Sequence, residues 1–135
     1  MILRTALIVV LLAMGGFIHA TEPSHRDVEF ARVGERTLSL DLYAPTESTT
    51  KPAPTIIWIH GGAWRAGSKS DVPVLHWLNR GFAIASVEYR LTPEAKFPAQ
   101  VHDIKAAIRY LRGNAASLKL DPDRFVIAGA SAGRH

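Results

Sequence analysis

Residues 129–133 read Gly129-Ala130-Ser131-Ala132-Gly133, a serine with a glycine two positions away on either side. A serine hydroxyl is a poor nucleophile at its own pKa and needs both an exposing geometry and a base. A Gly-x-Ser-x-Gly turn between a strand and a helix supplies the geometry. It forces the serine into a strained backbone conformation that exposes its oxygen, and the glycines let strand and helix approach. Ala130 and Ala132 keep the turn uncluttered, and the N–H of Ala132 points where a tetrahedral oxyanion would form. Glycine and serine also recur in ordinary turns. The apolar run Phe125-Val126-Ile127-Ala128 directly before the motif favours the nucleophile turn.

A second motif lies upstream, His60-Gly61-Gly62-Ala63-Trp64, directly after the run Thr55-Ile56-Ile57-Trp58-Ile59. Two glycines after a strand can mean only a tight turn. The functional reading is a loop that turns its N–H groups toward an oxyanion, where any side chain would obstruct the approach. The two motifs complement each other: one brings a nucleophile, the other donors for the charge that attack on a carbonyl creates. Acyl transfer is the chemistry they share.

Such motifs need a rigid frame. Val28–Val33 and Leu38–Tyr43 alternate apolar and polar around Gly34-Glu35, which predicts a hairpin of half-buried strands. Residues 44–54, with three prolines and four hydroxyl side chains, read as a surface loop. Thr55–Ile59 and Phe82–Val87 are continuous apolar runs, as strands buried on both faces require. Asp71–Asn79 carries Val74, Leu75 and Leu78 at helical spacing, stopped by Gly81. Pro98 opens a longer helix with an expected inner face of Val101, Ile104, Ile108 and Leu111, ended by Gly113-Asn114. Asp121-Pro122-Asp123 reads as a turn into a last strand, Arg124–Ala128. Strands and helices alternating through short connections predict an α/β fold, mainly parallel, with an N-terminal antiparallel hairpin and helices on both faces.

The 135 residues suffice for one modest domain. With no cysteine, the chain has no disulfide, thiolate metal site or cysteine nucleophile. Its six histidines form no metal-ligand pattern, so neither metal nor cofactor is expected. The first twenty residues, with Arg4 and the apolar run Ala6–Met14 ahead of Ala20, predict a signal peptide and a secreted or periplasmic domain over 21–135. An uncleaved anchor is the alternative, and no membrane span is expected once the leader is removed. Without Arg4 the balance is 15 basic against 12 acidic residues, scattered along the chain, so nucleic acid is not an expected partner.

The ordered set His60-Gly61-Gly62-Ala63-Trp64, Glu88-Tyr89-Arg90-Leu91, Phe97-Pro98-Ala99, Asp103 and Gly129-Ala130-Ser131-Ala132-Gly133 resembles the α/β-hydrolase esterase/lipase superfamily. It is most similar to secreted carboxylesterases of the xylan/feruloyl esterase type, relatives of the hormone-sensitive-lipase-like and kynurenine formamidase groups. The resemblance runs from about residue 27 onward. It implies that Ser131 accepts the acyl group from a small-molecule or polysaccharide ester, and that the N–H groups of Gly62, Ala63 and Ala132 form the oxyanion hole. His60, Gly61, Trp64, Gly129 and Gly133 complete the supporting motifs. One departure is Arg134, where the family usually has a further glycine at a helix-packing position.

Four residues receive structural readings. In this fold the triad runs serine, acid, histidine along the chain. His60 precedes the serine and so is expected to shape the loop rather than act as base. His135, four residues past Ser131 on the same helix, cannot easily reach the hydroxyl. Trp64 is expected to pack beneath the loop, and Asp103 to pair with Arg90. The triad acid and histidine are therefore expected after residue 135, and the 135-residue chain by itself to be catalytically silent. A non-catalytic chain with at most a binding role is the competing reading.

Overall fold

A computed structural model describes residues 21–134; the expected signal peptide over 1–20 and His135 lie outside the described residues. Five strands form one sheet: β1 (His25–Val33), β2 (Arg36–Tyr43), β3 (Ala53–Ile59), β4 (Ala83–Val87) and β5 (Leu120–Gly129). Their order across the sheet is β1-β2-β4-β3-β5. β1–β2 and β2–β4 pair antiparallel, β3–β4 and β3–β5 parallel, so the sheet is mixed. The expected hairpin is present, turning at Gly34 in the left-handed region (φ +59°). β2 is buried along most of its length, not half-buried, because β4 joins it on the far side.

One face of the sheet packs Leu40, Leu42, Ile57, Ile59, Ala85 and Val87 against Ala107 and Leu111 of helix α1 (Ala99–Gly113). The other face packs Tyr43, Ile56, Trp58 and Ile84 against Leu78 of a 3₁₀ helix, Leu75–Arg80. That short helix replaces the longer one expected over Asp71–Asn79. Pro73 biases Val72 away from helical backbone, so helical winding starts only beyond it. Gly81 ends it as expected, in the left-handed region (φ +80°) with its N–H on Leu78 O.

Two further expectations change. The deeply buried line of α1 is Gln100, Asp103, Ala107 and Leu111, with Ile104 and Ile108 half-buried beside it. The polar pair can be buried because both members are satisfied: Gln100 donates to Ala95 O at 2.9 Å, and Asp103 binds Arg90. Asp121-Pro122-Asp123 does not precede the last strand but lies within it. Ala53 aligns with Leu120 and Thr55 with Phe125, so the extra residues form a bulge, closed by Asp123 N–H on Asp121 Oδ1 at 3.0 Å. Among the described residues, no helix is long and apolar enough to cross a membrane.

Candidate active site

Sheet register brings the two motifs together. Ile59, the last residue of β3, is the parallel partner of Gly129, the last residue of β5. Both loops therefore leave the same end of the sheet side by side, and Ala130 N–H donates to Ile59 O at 3.3 Å. Ligand-binding loops of open α/β sheets cluster at this carboxyl end.

Ser131 stands at the tip with φ +48°, a left-handed backbone that a non-glycine residue adopts only under constraint, and its side chain is exposed. The constraint comes from the flanking glycines. A Cβ on Gly129 would overlap the carbonyl of Gly133, and one on Gly133 would overlap the carbonyl of Ile59. Gly133 N–H closes the turn on Ala130 O at 2.9 Å, and the chain continues as a 3₁₀ turn, Ser131–Arg134. Ala132 is buried on the second residue of that turn, where a helix's N–H groups lack intrahelical acceptors. Arg134 is accommodated without disturbing the packing: it is exposed, and its Nε donates to Gly129 O at 3.1 Å.

The His60–Trp64 loop lies against this turn. A Cβ on Gly61 would sit 2.9 Å from Ala130 O and 3.5 Å from Ser131 Cβ, so only glycine fits without displacement. Gly62, Ala63 and Trp64 all have positive φ (+119°, +53° and +63°). The tight winding is fastened where Arg65 and Ala66 N–H groups donate to Gly62 O at 2.9 and 3.0 Å, and where Thr92 donates to Trp64 O from its N–H at 2.7 Å and its hydroxyl at 3.1 Å. Among the described residues, the N–H groups of Gly62 and Ala63 have no hydrogen-bond acceptor.

His60 is 1% exposed and stacks on Tyr89, ring centroids 4.4 Å apart. Its Nδ1 lies 2.7 Å from Gly61 O, and the Tyr89 hydroxyl donates to His60 O at 2.8 Å. The His60 ring is thus packed against Tyr89. Trp64 packs edge-on to Tyr89 at 5.4 Å, half-buried against the core below the loop. Burial pushes the Tyr89 phenol above its ordinary pKa. Asp103 takes Arg90 in a two-pronged bond, Nε–Oδ2 2.9 Å and Nη2–Oδ1 2.7 Å, and accepts Arg90 N–H at 3.0 Å. Burial works against the guanidinium's charge, but the Asp103 hydrogen bond outweighs it and holds the Arg90 pKa above its usual value.

Three supports were not anticipated as such: Thr92, Tyr89 and the buried Asp41. Asp41 lies on β2 in an alternating run that reads as one wet face, and that face is covered by the chain after Trp64. Lys69 Nζ stands 2.7 Å from both Asp41 Oδ1 and Asp27 Oδ1.

The BD-FAE family model matches residues 40–135, well over half the chain. The chain belongs to the BD-FAE family. This BD-FAE chain is 40% identical over 112 residues to carboxylesterase NlhH of Mycobacterium tuberculosis, covering 76% of itself and 35% of that protein. It superposes on the propionate-bound thermophilic esterase Est2 of Thermogutta terrifontis with TM-score 0.72 at 30% identity, covering 78% of itself and 40% of that chain. A bacterial heroin esterase gives TM-score 0.70 at 37% identity, covering 78% of the BD-FAE chain and 34% of its own. The five-stranded sheet is thus part of an α/β-hydrolase fold of the esterase type, and the chain spans between a third and two-fifths of these relatives.

Proposed function

We propose that this chain carries the nucleophile and oxyanion loop of a serine carboxylic-ester hydrolase. The observation that carries the reading is the contact of Gly61 with Ala130 and Ser131, which sets two unpaired loop N–H groups beside a strained, exposed serine.

In the proposed reaction Ser131 Oγ attacks the ester carbonyl carbon while its proton passes to a histidine supplied by chain beyond residue 135. The carbonyl oxygen takes up the electron pair and is held by the N–H groups of Gly62, Ala63 and Ala132, worth about 3 kcal/mol per donor in the transition state. Collapse expels the alcohol, which takes the histidine's proton. Water then hydrolyses the acyl-serine by the same steps. No step calls on a metal or cofactor. The propionate in the Est2 structure supports short-chain acyl esters as first substrates to try. The test is active-site labelling of the complete gene product with a fluorophosphonate, followed by peptide mapping. Label on Ser131 is expected; label on another residue would overturn the Ser131 assignment, and none on folded protein would favour the non-catalytic reading.

A further inference from the structure

We infer that Lys69 is the positioning residue that holds the oxyanion loop, through its buried ion pair with Asp41. This rests on the ester-hydrolase reading of Ser131 and adds a residue outside both motifs. The loop after Trp64 folds back on its own first arm. A Cβ on Gly62 would overlap Ala66 O, and one on Gly67 (φ +88°) would overlap Gly61 O and crowd the His60 ring. The returning arm, 66–67, is therefore the wall behind Gly61 and Gly62, and Gly61 in turn abuts Ala130 and Ser131.

Two residues beyond Gly67 the arm is pinned to the sheet. Lys69, its side chain only 13% exposed, reaches Asp41 Oδ1, on a side chain 1% exposed, at 2.7 Å. Asp27 adds a second carboxylate at 2.7 Å, and Asp27 N–H donates to Asp41 Oδ1 at 2.8 Å. The Ser86 hydroxyl donates to Lys69 O at 2.7 Å, and Trp58 Nε1 to Asp71 O at 2.8 Å. A path thus runs from Asp41 in the sheet to Lys69, along the backbone through Ser68 to Gly67, and from there against the loop glycines and the serine turn. Burial disfavours the ammonium, but hydrogen bonds to Asp27 and Asp41 outweigh it and hold the Lys69 pKa above its ordinary value, so Lys69 is charged at neutral pH.

Removing Lys69 alone would strand the buried Asp41 charge and could unfold the sheet. The test therefore uses the double variant Asp41→Asn/Lys69→Met, with Lys69→Arg as the conservative variant and Ser131→Ala alongside, all in the complete gene product. The double variant should melt cooperatively and bind substrate with unchanged KM, while kcat falls about 10- to 100-fold as the donors lose their aim. Lys69→Arg should keep most of the parent kcat. An unchanged kcat in the double variant, a defect confined to KM, or loss of cooperative melting would each overturn the assignment. If Ser131→Ala keeps the parent rate, the hydrolase reading fails instead, and the two failures are distinguishable.

Discussion

Gly61 and the Ala130 carbonyl are packed so closely that a methyl group on Gly61 would sit 2.9 Å from that oxygen. The His60–Trp64 loop and the serine turn are thus one packed unit. The first prediction follows: Gly61→Ala should leave the fold intact, because the clash lies at a loop. It should lower turnover by about 10²-fold, since the loop must retreat from the serine by a fraction of an ångström or more. Ester turnover with a matched melting curve checks it; an unchanged rate would mean the loop is only a turn.

Asp103 and Arg90 form the second test. Asp103 is buried and its Arg90 partner is largely covered. Asp103→Ala should cost about 3 kcal/mol, because it leaves the guanidinium without its two-pronged partner and frees the Arg90 N–H. Urea unfolding reads the loss, and Asp103→Asn should recover only part of it.

The pH dependence has a defined sign on the alkaline side. Tyr89 has its pKa raised by burial, so its contribution to stability is whole below the ordinary phenol value and fades as pH rises through the raised one. Lys69, also raised, acts in the same direction at higher pH. Stability should therefore fall above about pH 10. Tyr89→Phe should flatten the part of that fall due to the phenol, at a cost of about 1 kcal/mol at neutral pH for the lost bond to His60 O. A melting series from pH 8 to 11 distinguishes the two.

β5 supplies a solubility prediction. In the described structure it is an edge strand on which Val126 and Ile127, pointing to opposite faces, are 52% and 57% exposed. An apolar, β-branched edge invites pairing with another chain. The chain over residues 21–135 should self-associate, and Ile127→Lys should shift it toward monomer on size-exclusion chromatography.

The elements that carry strong periodicity were legible from sequence: the hairpin, both buried strands and the helix after Pro98. Where reading fell short, long-range partners decided. Asp41 read as the polar side of a half-buried strand because nothing local announces that Lys69 will cover it. The inner line of α1 shifted toward Gln100 and Asp103 because their polar groups find partners in the segment at 90–95. Of the candidate site, the close approach of the two motifs left its mark in residue type, as glycines at 61, 129 and 133. Thr92 and Tyr89, which fasten the loop through its carbonyls, carry no such mark.

The most direct test of the central claim is p-nitrophenyl acetate turnover by the complete gene product and its Ser131→Ala variant, both confirmed folded by near-ultraviolet circular dichroism. Ser131→Ala should reduce kcat by about 10³-fold or more, because the acyl-serine can no longer form. Equal rates for the two proteins would contradict the assignment of Ser131 as nucleophile.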